Sequence, residues 1–340
     1  MSDKPIKIGV IGTGAVAQIA HLPAYQRLDG VEITAICDPD QAKVQKLAEK
    51  YAVTHVFTDY TDLVKLPDLD AVDICTPNHL HAEIAISALN AGKHVLCERP
   101  LGRNAAETEQ VLDASQSTGK ILMVGYNNRF REDAQLLKKF MEQKELGDIF
   151  YVKTGWLRPK LSFLESWQSH RTTAGGGVFM DLGVPMLDLG RWLIGAPKVE
   201  SVTAAFHSKV YQQTVEDSAV ALIRFENDVT MNVEVTWGLL GDKDFHYLNV
   251  FGTHGGALLN PLRIHKEMHD SLVNLTPSIE ASPGHVYKQS YEKELIYFID
   301  HVRSGTPPMC NGEEALEVMR IVDAIYQSAK TKKTVELSES

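Results

Sequence analysis

Gly12, Gly14 and Ala17 stand at the spacing Gly-x-Gly-x-x-Ala, and a carboxylate, Asp38, follows 21 residues after Ala17. Each type has a physical use at its place. Gly12 permits a tight turn, Gly14 lets the backbone approach phosphate oxygens without a Cβ in the way, and Ala17 allows close packing of a helix on a strand. The apolar run Ile6 to Ile11 leads into this turn and a helix follows, so backbone N–H groups around Ala15 and Val16 would face a pyrophosphate. Asp38 ends a second apolar run, Val31 to Cys37, where a carboxylate can accept both hydroxyls of an adenosine ribose. Gly12, Gly14, Ala15, Val16, Ala17 and Asp38 therefore read as a dinucleotide site. With no Arg beside Asp38, NAD is favoured over NADP.

Such a site needs a parallel sheet beneath it. Strands are predicted at Ile6 to Ile11, Val31 to Cys37, Ala71 to Cys75, His94 to Cys97 and Ile121 to Val124. Helical patterns at Gln41 to Tyr51, His81 to Ala91 and Ala105 to Thr118 alternate with them. This is an α/β Rossmann unit, a doubly wound parallel sheet. The loops Thr76-Pro77-Asn78 and Glu98-Arg99-Pro100 follow strand C-termini, where open α/β sheets bind ligands, and so belong to the cofactor side. Asn78 is expected to cap the next helix, and His81 to begin it near the cofactor.

After Gly147 the rhythm changes. A strand at Ile149 to Gly155 and a Gly-rich turn into a helix over Gly175 to Ile194 precede four further strands, Val199 to His207, Asp217 to Phe225, Val229 to Trp237 and Phe245 to Gly252. Consecutive strands with turn breaks, such as Asn227-Asp228, imply an antiparallel sheet. A helix over Glu313 to Lys330 carries a one-sided apolar stripe that should pack on a domain face. The division expected is a Rossmann domain over 1–125 and an α+β domain over 126–340 with a large open, mostly antiparallel sheet, the helix at 313–330 packing back on the first.

Composition limits the partners. A 340-residue chain of 44% hydrophobic and 23% charged residues has ample core for two domains. A formal charge of −10 without a basic patch argues against nucleic acid and anionic membranes. No apolar run approaches membrane-spanning length and the first residues, Met1 to Pro5, do not read as a signal peptide, so a cytoplasmic location is expected. Cys37, Cys75, Cys97 and Cys310 lack zinc-site spacing, as do the histidines; reduced buried thiols and no metal are expected.

With both halves read, the motif order resembles the glucose-fructose oxidoreductase and inositol dehydrogenase family (Gfo/Idh/MocA). The resemblance rests on the first glycine motif, Thr76-Pro77-Asn78-His79-Leu80-His81, Ala91 to Leu101, Gly125-Tyr126-Asn127-Asn128-Arg129-Phe130, Gly175-Gly176-Gly177 with Asp181-Leu182-Gly183, and Gly312-Glu313. It spans nearly the whole chain. It implies an NAD(H)-dependent oxidoreductase acting on a hydroxyl or keto group of a sugar, cyclitol or sugar-derived acid. It also implies a homodimer or homotetramer formed through the second-domain sheet. Thr76, Pro77, Asn78, His81, Glu98, Arg99 and Asn127 would join the glycine loop and Asp38 in holding NAD.

Two departures from the family pattern bear on catalysis. Glu-Lys-Pro is replaced by Glu98-Arg99-Pro100, and Asp-x-Gly-x-His by Asp181-Leu182-Gly183-Val184-Pro185. Alcohol oxidation needs a base with usable proton affinity near neutral pH. A guanidinium does not supply one, and Pro185 has no side-chain proton. Arg99 could hold an oxygen by a forked hydrogen bond. Tyr126, His170 and Asp181 are then the candidates for the proton, because the resemblance places their loops near the nicotinamide. Arg129 and Arg171 could bind an anionic group or form ion pairs, and core packing is expected for Trp237. Two other readings stay open: a silent NAD-binding regulator, and an NAD-dependent hydrolase or lyase that regenerates its cofactor each turnover.

Overall fold

The computed structural model describes residues 4–160, 166–211, 214–278 and 283–337. They divide into two compact units. One comprises the residues through Asn127 together with Lys288–Met319; the other comprises Asn128–Tyr287 together with the residues from Arg320 on. The first unit is thus discontinuous in sequence, and the division falls inside the helix Gly312–Thr331.

The first unit carries six parallel strands, β1 (Ile6–Ile11), β2 (Val31–Cys37), β3 (His55–Phe57), β4 (Ala71–Ile74), β5 (His94–Glu98) and β6 (Leu122–Gly125), in the order β3-β2-β1-β4-β5-β6. The chain reverses direction across the sheet between β1 and β4, the switch point at which doubly wound sheets bind ligands. Ile8, Val10, Ala35, Ile36, Val72, Ile74, Val95 and Leu96 are wholly buried, which is why these strands read as continuous apolar runs rather than alternating ones. Helix Gln41–Tyr51 starts where the Asp40 side chain accepts from the Lys43 N–H and stops at Ala52 in a left-handed conformation. The helix after β4 is Asn78–Asn90, three residues earlier than expected. Pro77 is its cap, so Asn78 is its first residue and not its cap.

The second unit holds nine strands: β7 (Ile149–Pro159), β8 (Val199–His207), β9 (Ser218–Phe225), β10 (Thr230–Leu239), β11 (Phe245–Gly252), β12 (Gly255–Leu259), β13 (Arg263–Met268), β14 (Ser271–Asn274) and β15 (Val335–Glu336). Their order is β14-β13-β12-β11-β7-β10-β9-β8-β15. All pairings are antiparallel except β10 with β7, which lie side by side in parallel. β9 alternates strictly, with Ala219, Ala221, Ile223 and Phe225 buried and Val220, Leu222 and Arg224 exposed. The expected Gly-rich turn into a helix over Gly175 to Ile194 is present, with Gly175–Gly177 as the turn and Val184–Leu193 as an α-helix, but Phe179–Gly183 between them is a π-helical turn. No helix among the described residues is long and apolar enough to cross a membrane.

Candidate functional site

The glycine loop fits a ligand rather than a packed turn. Gly12 has φ +87°, and a Cβ there would lie 2.6 Å from the Cys75 carbonyl oxygen, so both backbone and neighbours require glycine. Gly14 is different. A Cβ at Gly14 would meet nothing within 4 Å, so the protein itself does not need the glycine, and the space over it is open for an approaching phosphate. The helical segment after it widens into a π turn over Ala17–His21. Close by, the Thr76 hydroxyl is buried without a hydrogen-bond partner among the described residues, as is Nδ1 of His79. An orphaned polar atom at the C-terminal end of a central strand is what a bound dinucleotide would satisfy.

Asp38 is 6% exposed and takes four donors. Oδ2 accepts from the Thr13 N–H at 2.9 Å and the Thr13 hydroxyl at 2.8 Å; Oδ1 accepts from the Asp40 N–H at 3.0 Å and from Lys43 Nζ at 2.8 Å. Burial works against the charge, but Lys43 and the Thr13 and Asp40 donors outweigh it and hold the carboxyl below its ordinary pKa. Asp38 is thus an ionised acceptor facing the glycine loop. Lys43, five residues on, was not visible as its partner. The only sequence signal is a cation in the first turn of the helix after the acid-bearing strand.

The loops after β4 and β5 are tied to each other. One ring nitrogen of His81 lies 2.7 Å from the Pro100 carbonyl and the other 2.7 Å from the Thr76 carbonyl. Burial holds the imidazole pKa below its usual value although both carbonyls favour the cation. A neutral ring donates to one of them at a time. His81 therefore braces the loops after β4 and β5 against each other. Beneath them His21 reaches Asp73 Oδ2 at 2.7 Å and Glu98 Oε1 at 3.1 Å, with Cys75 Sγ 3.5 Å from Nδ1. His21, Asp73 and Cys75 are ligand types gathered within 4.8 Å, a grouping that spacing along the chain did not reveal. The 2.7 Å separation of His21 and Asp73 is that of a hydrogen bond. Arg99 follows Glu98, and its charge with that of His21 helps hold the Glu98 carboxyl low despite burial. Tyr126 is buried after β6, and Asn127 donates to the Ser290 hydroxyl at 3.1 Å on helix Pro283–Ser304.

In the second unit, Asp181 lies on the π turn, and its Oδ2 accepts from Arg158 Nη1 at 3.0 Å and from the Trp237 indole N–H at 3.0 Å. Trp237 is 1% exposed, so it packs the core and also anchors this carboxylate. Arg158 reaches on to Asp244 at 3.5 Å and lies over the Trp156 ring, whose N–H donates to Asp244 at 2.8 Å. The turn that leads to Asp181 is locked by Glu216. One of its oxygens accepts from the Gly177 N–H at 2.9 Å, the Phe179 N–H at 3.1 Å and the Tyr326 hydroxyl at 2.6 Å. A Cβ on Gly176 would collide with Tyr326, and one on Gly177 with the Glu216 backbone.

The remaining candidates separate clearly. Arg129 makes a buried two-pronged ion pair with Asp188, Nε to Oδ2 at 2.9 Å and Nη2 to Oδ1 at 2.5 Å, which makes it a structural cation. Arg171 lies over the Tyr326 ring at 5.6 Å. His170 is exposed, and its carbonyl accepts from the N–H groups of Thr173 and Ala174. All four cysteines are buried and free. Gly12 to Ala17, Asp38, Thr76, Pro77, Asn78, His81, Glu98, Arg99, Tyr126 and Asn127 belong to the first unit, and Asp181 and His170 to the second.

Known proteins share this architecture. Residues 6–126 match the oxidoreductase family with an NAD-binding Rossmann fold (Gfo/Idh/MocA), and residues 138–337 match the C-terminal alpha/beta domain of the same family. D-glucoside 3-dehydrogenase of Escherichia coli is 29% identical over 99% of either chain. Myo-inositol 2-dehydrogenase of Thermotoga maritima is 27% identical over 98% of this chain and 99% of its own. Among solved structures, a levoglucosan dehydrogenase in complex with NADH and levoglucosan superposes with a TM-score of 0.90 at 26% identity, covering 99% of this chain and 100% of that one.

Proposed function

Because the chain belongs to the Gfo/Idh/MocA oxidoreductase family, with its NAD-binding Rossmann fold and its C-terminal alpha/beta domain, we propose that it is an NAD(H)-dependent oxidoreductase acting on a hydroxyl or keto group of a sugar, cyclitol or sugar-derived acid. The observation that carries the cofactor half is the pairing of an open Gly14 with an ionised Asp38 joined through Thr13. The substrate half is supported by relatives named for a glucoside, myo-inositol and levoglucosan.

Bound NAD would supply the hydride acceptor. The glycine loop would hold its pyrophosphate, Asp38 its ribose hydroxyls, and Thr76 a polar atom of the cofactor. Arg99 stands where the family pattern has Lys, and a permanently charged fork there binds and polarises a substrate oxygen without accepting its proton. The hydroxyl proton then falls to a titratable side chain, for which Asp181, Tyr126 and His170 are the candidates. Asp181 is the best supported, because Arg158 and Trp237 fix one of its oxygens.

Incubation with NAD+ and a panel of inositols, aldoses, glycosides and sugar acids tests this reading. NADH in proportion to oxidised product is expected. Product without net NADH would instead identify a hydrolase or lyase. Binding of NAD+ with neither outcome on any substrate would identify a regulator.

A further inference from the structure

Asp38 is already saturated before any cofactor reaches it. An ionised carboxylate has about four acceptor sites, and Thr13 N–H, Thr13 hydroxyl, Asp40 N–H and Lys43 Nζ occupy four. Accepting even one ribose hydroxyl requires one donor to leave. Thr13 and the Asp40 amide are fixed by the glycine loop and by the start of the next helix. Lys43 is the exception: it is a long side chain, 36% exposed, and Asp38 is its partner in the structure. It is the donor that can yield at small cost.

Once displaced, the Lys43 ammonium remains beside the carboxylate, in the first turn of the eleven-residue helix Gln41–Tyr51. That position joins a partly exposed cation to the positive end of a helix, both of which favour an added anion. We propose that Lys43 sets the cofactor specificity of this chain, by exchanging between Asp38 and the 2′-phosphate of NADP, so that NADP is accepted as a second, weaker cofactor rather than excluded. Asp38 alone would repel a 2′-phosphate; Lys43 offsets the repulsion. The inference rests on the reading of Gly12 to Asp38 as the dinucleotide site.

Isothermal titration of the full-length protein with NAD+ and with NADP+ at one ionic strength provides the test, using wild type, Lys43→Ala and Lys43→Arg. Wild type is expected to bind both, NADP+ more weakly. Lys43→Ala should weaken NADP+ by about tenfold, the order of one exposed charge-assisted contact to phosphate, and leave NAD+ equal or tighter because Asp38 is released. Lys43→Arg should retain NADP+ binding. The substitution sits on a half-exposed helix position whose cap uses the Lys43 backbone rather than its side chain, so folding is expected to survive; circular dichroism checks this. Undetectable NADP+ binding to wild type, or equal losses of both cofactors in Lys43→Ala, would overturn the inference while leaving the NAD reading intact. Failure of NAD+ itself to bind would remove the reading beneath it.

Discussion

His21 and Asp73 form an ion pair that is sealed inside the first unit, with Nδ1 2.7 Å from Oδ2 and side chains 1% and 0% exposed. The opposite nitrogen meets Glu98 3.1 Å away. Carboxylates on both sides make the doubly protonated imidazolium the form that satisfies every contact. Burial disfavours that cation, but Asp73 prevails and the pKa stands well above the ordinary 6.5.

Removing the imidazolium leaves the fully buried Asp73 and the partly buried Glu98 without their common partner. His21→Gln should therefore destabilise the protein by about 3 kcal/mol near neutral pH, the usual cost of breaking a buried pair. The pH dependence has a definite sign. A histidine whose folded pKa is raised contributes fully below its unfolded value, near 6.5, and loses the contribution as pH rises through the folded value. Urea unfolding of wild type and variant at pH 6, 7.5 and 9.5 should show the gap narrowing toward alkali. A gap of constant size would mean that His21 acts by packing alone.

The two glycines before Asp181 should differ in what they tolerate. At Gly176 an added methyl meets the end of the Tyr326 side chain; at Gly177 it meets the Glu216 backbone carbonyl, which cannot move without pulling on the strand that follows. Gly177→Ala is expected to lower the melting temperature more than Gly176→Ala. Combining Gly176→Ala with Tyr326→Ala should cost less than the sum of the single changes, since the second relieves the clash of the first. Additive losses, or a Gly176→Ala protein as unstable as Gly177→Ala, would show that the turn is not held by the Glu216–Tyr326 lock.

What was legible in the sequence follows from the range of the forces involved. β1, β2 and β5 were readable because burial on both faces demands unbroken apolar runs, and β9 and β10 because one covered face demands alternation. β3 escaped, being three residues long with a single turn of helix on its far side. Helix Pro283–Ser304 escaped as well, because Val286, Leu295, Phe298 and Ile299 are buried apolar residues in a mostly polar stretch. The parallel pairing of β10 with β7 is a matter of topology that no local pattern encodes. The glycine motif is local and hence visible, whereas His21 meets partners 52 and 77 residues away and no periodicity announces them.

The solvent face of the second sheet is more apolar than a monomer needs. Val220 and Leu222 on β9, Phe245 and Phe251 on β11 and Leu258 on β12 are all exposed large apolar residues, and Tyr151 stacks on Phe251 at 5.3 Å between centroids. We expect this face to be covered by a second copy. Light scattering at micromolar concentration should report a dimer or tetramer, and the pair Leu222→Asp with Phe251→Asp should reduce it to a folded monomer. A monomeric wild type would leave this face without a role in association.

Arg99 and Pro185 carry the sharpest consequence for catalysis. If Arg99 anchors a substrate oxygen through its fork, Arg99→Lys replaces a delocalised, permanently charged group by a point charge whose pKa shifts readily when desolvated. Anionic ligands should then bind more weakly, while alcohol oxidation is gained or increased because the new amine can exchange a proton. Pro185→His adds the second titratable group of the family pattern, on helix Val184–Leu193 where it continues from the π turn Phe179–Gly183, and gives that position the backbone N–H that proline lacks. The double variant should exceed both single variants in steady-state NADH formation across inositols, aldoses and sugar acids. If wild type is already fast and the double variant slower on every substrate, Arg99 and Pro185 belong to a working proton route of their own. The search for the base then narrows to Asp181, Tyr126 and His170, with Asp181→Asn as the first substitution to measure.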